Sequence, residues 1–212
     1  MKIGIVWENG VSKWSMQMFE PLIDMPDVDI SVFVGERNKY DVSQVMLNKI
    51  FLSHKEEVTC GLRSLPDSLR RVMKNPYKRM DFYYNSLNRH IENYDIIECP
   101  DSSRSLYSLA DLKKKKGVKL IVSYAENIPY RQVFDGKTNY IKHYSFESID
   151  HFIPWCDTIK RVLILEGVSE EKITTVYAGI DINMFKPEPK DADMLKEFEL
   201  SEDNFIISYV GK

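Results

Sequence analysis

Carboxylates beside amides, hydroxyls or glycine recur at four places in the chain, each directly after a short apolar run. They are Glu8-Asn9-Gly10, Asp101-Ser102-Ser103, Glu126-Asn127 with Arg131 close behind, and Asp157-Thr158. An ionised carboxylate accepts several hydrogen bonds and an amide both donates and accepts, so such a rim suits the hydroxyls of a polyol or sugar. A plainer use competes with this one. Asp101-Ser102 and Asp157-Thr158 stand where helix N-caps are expected. No helical pattern starts immediately after Glu126-Asn127-Ile128-Pro129, which reads as a loop, with or without a ligand. His54, His90, His143 and His151 lack the spacing of a metal site, as do the cysteines, which argues against zinc. A hard cation on the carboxylates alone stays open. ENGVSKW has a single glycine and the terminal VGK lacks the upstream glycine of a phosphate loop, so neither supports nucleotide binding by itself.

Positioning these residues falls to β-rich runs with helical stretches between them. The runs are KIGIVW (2–7), DISVFVG (29–35), EVTCGL (57–62), YDIIEC (94–99), VKLIVSYA (118–125), HFIPWC (151–156) and ITTVY (173–177). Most are apolar nearly throughout, the pattern of strands buried on both faces in a parallel sheet. The intervening helices supply the crossovers that parallel pairing requires. The chain is therefore expected to be α/β, a doubly wound, mainly parallel, Rossmann-like sheet. Ligands of such sheets bind beyond the carboxyl ends of the strands, where all four polar clusters fall.

Between 102 and 117 the helix boundaries have a chemical reading: Ser102 or Ser103 as cap, Leu106, Leu109, Ala110 and Leu112 as the apolar side, Gly117 as the stop. Lysines 113–116 suit the carbonyl end of the dipole and are read as a solvated last turn rather than an anion site. Residues 62–94 carry seven Arg and Lys against Asp67, Asp81 and Glu92, and Pro76 splits them. Met80, Tyr83, Tyr84, Leu87 and Ile91 fall at helical spacing there. That stripe is read as core, with a basic surface for membrane or phosphate as the alternative.

With 43% hydrophobic and 29% charged residues, the 212-residue composition is that of a globular protein. A formal net charge of −3 offers no basic excess for nucleic acid. Cys60, Cys99 and Cys156 cannot pair completely, which favours a reducing compartment and a cytoplasmic location. No run of roughly 18 apolar residues is present to span a bilayer, and the N-terminus does not read as a signal peptide.

The stretch IDHFIPWCDTIKRVLILEGVSEEKITTVYAGIDINMFKPE resembles the family 4 glycosyltransferases: a strand, a capped helix, a Gly-Val turn, another strand, then Ala178-Gly179-Ile180-Asp181 with Phe185 and Pro187. KIGIVWENG, YDIIECPDSS and KLIVSYAENIPY are similar to that family's first, fourth and fifth strands, so the likeness covers nearly the whole chain. Only Gly10 stands where members commonly carry a glycine-rich loop, and Ala125-Glu126 where many carry a histidine, so no catalytic residue is carried over.

The resemblance implies the N-terminal half of a two-domain GT-B enzyme. Residues 1–188 would be the acceptor-side domain, and 189–212 a linker and the first strand of a donor-binding domain. Gly179 and Asp181 would form the hinge. The implied reaction is retaining transfer from a nucleotide-sugar to a sugar, lipid-linked or small-molecule acceptor, without metal or other cofactor. Asn9 and Gly10 are assigned near the leaving phosphate, Asp101, Glu126 and Asn127 to acceptor hydroxyls, Ser102 to substrate binding beside them, and Arg131 to an acidic or phosphorylated acceptor. A non-catalytic sugar- or nucleotide-binding module is the alternative, and a related hydrolase or epimerase using Glu126 and Asp101 a further one.

Overall fold

Alternation inside the apolar runs divides them between two cores, one on each face of a sheet. The computed structural model describes residues 1–53, 83–103, 105–131, 144–183 and 185–209. Six strands, β1 (Lys2–Glu8), β2 (Asp29–Gly35), β3 (Asn48–Leu52), β4 (Ile96–Pro100), β5 (Lys119–Tyr124) and β6 (His151–Pro154), form one sheet in the order β3-β2-β1-β4-β5-β6. Every pairing is parallel. Adjacent residues on one strand face opposite ways. Ile5, Ile30, Val32 and Val34 therefore pack with Val11 and Met16 on one face. Val6, Phe33, Ile97, Cys99, Val122 and Tyr124 build the larger core on the other. Each fully buried aliphatic or aromatic side chain there stabilises the fold by roughly 1.5–3 kcal/mol.

Among the described residues ahead of Gly179, the α-helices are α1 (Lys13–Met16), α2 (Tyr84–His90), α3 (Leu106–Lys116) and α4 (Asp157–Leu165). Tyr83, Leu87 and Ile91 join the larger core around α2, so this part of the 62–94 stripe is core as expected. Residues 54–82, including the expected strand 57–62 and the basic segment ahead of Tyr83, lie outside the described residues. The third strand is Asn48–Leu52, which the sequence reading missed because its burial is confined to one end. At the end of α3, Gly117 turns left-handed at φ 76° and its N–H meets the Lys113 carbonyl. The lysines before it are committed to protein partners: Lys113 to Asp150 at 2.5 Å, Lys115 to Asp111 and Lys116 to Glu92.

ITTVY is extended beside β6 but only Ile173 forms a bridge, to Phe152. Thr174 and Val176 donate to the Phe152 and Pro154 carbonyls at 3.0 and 3.1 Å. Pro154 has no N–H with which to return the bond, so the ladder stops growing as a strand.

The chain divides into two compact units, Met1–Gly179 and Ile180–Lys212. In the second, α5 (Ala192–Glu197) is capped by the Asp191 carboxylate, which accepts from Asp193 N and Met194 N. Met194, Leu195, Phe198, Leu200 and Ile206 line a cavity there of about 590 Å³. FIISYVGK forms no strand over its described residues 205–209, and Phe205, Ile207 and Tyr209 are exposed. Gly179 has no atom within 4 Å of its Cβ position and no left-handed φ, so neither close approach nor strain demands glycine. Asp181 does hold its own turn, accepting from Asn183 N through Oδ1 and from Phe185 N through its carbonyl.

Candidate functional site

Strand order reverses between β1 and β4, because the connections after β1 run one way along the sheet and those after β4 the other. Helix ends and loops diverge at such a point and leave a crevice at the carboxyl edge. The crevice here is a cavity of about 480 Å³, lined by Trp7, Glu8, Asn9 and Gly10 from the β1 end, Pro100 to Ser103 from the β4 end, Ser123 and Ala125 from β5, and Trp155 after β6. That volume lies within the range of small-ligand pockets, about 300–1,000 Å³.

Glu8 forms the inner wall. The β1–β2 register shifts between Val6 and Glu8, and Glu8 takes φ 49°, left-handed without being glycine. This backbone, costing of order 1 kcal/mol or more, aims a carboxylate that is 8% exposed at the start of α3. Its Oε1 accepts from Ser105 N at 2.8 Å and from Ser103 Oγ at 2.7 Å. The expected capping by Ser102 or Ser103 is corrected accordingly: α3 starts at Leu106, its N-cap is Ser105, and its first donor is answered from β1, with Ser103 Oγ also 3.1 Å from Ser105 N. Proximity of strand ends, not local sequence, selects this cap.

Asp157 is likewise no N-cap. Cys156 holds that position, and the Asp157 carboxylate accepts from Thr175 and Tyr177, tying down the extended segment beside β6. These donors hold its carboxyl below the usual range.

Among the expected site residues, Asn9, Gly10, Asp101 and Ser102 line the cavity together, whereas Glu126, Asn127 and Arg131 do not. Asn9 Oδ1 accepts from the Tyr83 hydroxyl at 2.7 Å. Gly35 makes room for that bond, since a Cβ there would lie 2.6 Å from both oxygens. Gly10 N donates to the Trp7 carbonyl at 3.0 Å. Asp101 Oδ2 is approached by Ala125 N and Glu126 N at 3.4 and 3.3 Å. Burial nonetheless pushes its carboxyl above the usual range, the backbone donors opposing that. Glu126 accepts from Ile128 N at 3.0 Å and from Arg131 at 3.1 Å, while Asn127 is exposed.

Behind the cavity lies Glu98, in the middle of β4 and only 4% exposed. Oε2 accepts from the Trp7 indole N–H at 3.2 Å, whereas Oε1 has no hydrogen-bond partner among the described residues. Burial drives this carboxyl up to about 7, with Ser123 and Trp7 working in the other direction. Sequence reading passed over Glu98, Trp7 and Trp155, although a charge inside the apolar run YDIIEC was a visible signal. Among the described residues no group of three His, Cys, Asp or Glu side chains is placed to hold a metal ion, and no helix is long and apolar enough to cross a membrane.

A doubly wound parallel sheet with a polar crevice at its strand-order reversal defines a Rossmann-like α/β domain, the architecture of GT-B enzymes. The Glycosyltransferase Family 4 model matches residues 38–184, and the chain belongs to that family. Similar solved structures include Anabaena HepE in complex with UDP-glucose, at 15% identity and TM-score 0.61, covering 94% of this chain and 50% of that one. The lipopolysaccharide outer core galactosyltransferase WaaB, in its apo form, is 16% identical with TM-score 0.56, covering 91% of this chain and 50% of that one. UDP-GlcNAc 2-epimerase from Methanocaldococcus jannaschii is 12% identical with TM-score 0.54, covering 83% and 45%. This chain thus spans about half the length of those structures. No curated protein matches it in sequence.

Proposed function

We propose that the chain is the acceptor-side domain of a glycosyltransferase that moves a sugar from a nucleotide-sugar donor to an acceptor, with retention of anomeric configuration. One observation carries this reading: in a Glycosyltransferase Family 4 domain, the polar cavity opens at the strand-order reversal and gathers Asn9, Gly10, Asp101 and Ser102. HepE was solved with UDP-glucose, a donor of the class assigned here. Asp101 accepts a hydrogen bond from an acceptor hydroxyl, held for the task by the Ala125 and Glu126 amides. Because the Gly10 N–H is given to Trp7, contact on the leaving-phosphate side falls to Asn9. Glu126 and Asn127 form an outer rim, and Arg131 secures that loop through Glu126.

In the same reading, residues 1–188 form the acceptor domain and 189–212 lead into a donor-binding domain, with Gly179 and Asp181 at the hinge. The enzyme works in the cytoplasm, meets a membrane at most peripherally through 62–94, and uses neither metal nor other cofactor.

The test is steady-state kinetics of the full-length enzyme, following release of the nucleotide diphosphate. Asp101→Asn is expected to lower kcat/KM for the acceptor at least tenfold with donor KM little changed. Unchanged acceptor kinetics for Asp101→Asn and for the double change Glu126→Ala, Asn127→Ala would remove these residues from the site. The epimerase neighbours favour one second reading, an enzyme acting on the nucleotide-sugar itself. Donor turnover by residues 1–212 without an acceptor would select it. Ligand binding by the full-length protein without donor turnover would instead leave a non-catalytic module.

A further inference from the structure

Two indoles and two carboxylates face one cavity here. Trp7 and Trp155 both line it and both are half-buried, so each offers part of a ring face while the rest packs on protein. Trp7 rests edge-on against Phe19, ring centroids 6.2 Å apart, and its N–H is bonded to buried Glu98, so the ring is fixed from two sides. Trp155 stands beyond β6, three strands from β1, so the strands that carry the two indoles lie on the order of 14 Å apart at about 4.8 Å per strand. Rigid aromatic walls with a few converging polar groups select ligands that have an apolar face and a polar rim.

The charges in the cavity narrow the class. Among the described residues lining it, Glu8 and Asp101 are acidic and none is basic. A helix N-terminus would ordinarily attract an anion. At this edge Glu8 answers the start of α3, and Asp157 adds negative charge to the first turn of α4 without capping it. A phosphate or carboxylate on the ligand would meet the like charge of Glu8 and Asp101. A pyranose ring has what remains: an apolar face for an indole and hydroxyls for Asp101.

We infer that the ligand of this cavity is an uncharged pyranoside, one or two rings long, stacked on Trp7 with hydroxyls donated to Asp101. This rests on the acceptor reading above and deepens it. Glu98 serves as a positioning residue, keeping the indole square to the cavity.

The experiment is fluorine NMR on the 1–212 chain labelled with fluorotryptophan, whose three tryptophans each give a signal. Titration with neutral methyl pyranosides, glucoside, galactoside and N-acetylglucosaminide, is expected to move the Trp7 signal and leave that of exposed Trp14 in place. In calorimetric titration, Trp7→Leu should weaken the responding sugar at least tenfold. Because Trp7 also packs on the smaller core, Asp101→Asn serves as a second variant and should weaken it at least threefold. Glu98→Leu, which cannot accept from the indole, should weaken binding at least threefold, whereas Glu98→Gln, which can, should bind within twofold of the parent. Glucose 1-phosphate or glucuronate shifting Trp7 at lower concentration than every neutral sugar would overturn the uncharged ligand and leave the acceptor domain standing. If no sugar of either kind moves Trp7 but UDP does, the acceptor reading fails with it.

Discussion

The dipeptide Glu-Asn stands at the tips of β1 and β5 alike, as Glu8-Asn9 and Glu126-Asn127, yet these two copies live differently. Glu8 is buried, left-handed and bonded to Ser103 and Ser105, nearly a hundred residues away, and Asn9 is fastened to Tyr83. The Glu126 carboxylate bonds within its own neighbourhood, to Ile128 and Arg131, and Asn127 is exposed. The difference lies in what ends nearby. At the β1 tip the start of α3 presents an orphan N–H that needs an acceptor, whereas the β5 tip enters a loop. Like residues therefore become framework at one tip and remain surface at the other. Asp101 stands between the two conditions, held by backbone yet still lining the cavity.

The contrast breaks most sharply at Glu8. Glu8→Ala should destabilise the 1–212 chain by roughly 4 kcal/mol in urea unfolding, since it removes a buried charged acceptor and strands its donors. A loss below about 1 kcal/mol would mean that the bonds to α3 carry little. Next comes Glu98, buried like Glu8 but left with one oxygen unpartnered among the described residues. Its folded pKa of about 7 exceeds the ordinary 4.5. The folded state thus keeps a proton through that window which the unfolded chain has released, and this group's contribution falls as pH rises from 4.5 to about 7. Glu98→Gln should raise stability at pH 8 by about 3 kcal/mol and change it little at pH 4. An equal effect at both pH values would show that the carboxyl does not titrate in this window.

Smaller effects sharpen the same picture. Glu8→Gly should cost about 1 kcal/mol less than Glu8→Ala, because glycine carries no penalty at φ 49°. Equal losses would mean that the backbone relaxes when the carboxylate goes. Glu126→Ala should lower stability by at most about 1 kcal/mol, as expected for a carboxylate paired with a largely exposed arginine. A larger loss would move Glu126 into the framework beside Glu8.

Much of the sheet was legible because burial on both faces leaves a continuous apolar run, as in DISVFVG and KLIVSY. The Gly117 stop of α3 was equally readable, since a left-handed cap is local chemistry. Asn48–Leu52 was not, because an edge strand with one well-buried end lacks such a run. Nor was the cap of α3, for Ser102 and Ser103 are good caps by local rules and only the nearness of Glu8 overrides them. The cavity was half visible: its polar rim follows from residues after strands, but its walls, Trp7 and Trp155, look like ordinary core aromatics until the strands are placed side by side.

Composition and periodicity alone determined that this chain would bury a layered parallel sheet and bring its polar clusters to strand ends, since both depend on residues near one another in sequence. Which carboxylate braces a helix, which titrates in a buried site and which faces a ligand was decided only in three dimensions. Hydrogen bonding and desolvation act over a few ångströms of space, and in this fold those few ångströms join residues such as Glu8 and Ser105 that the chain keeps far apart.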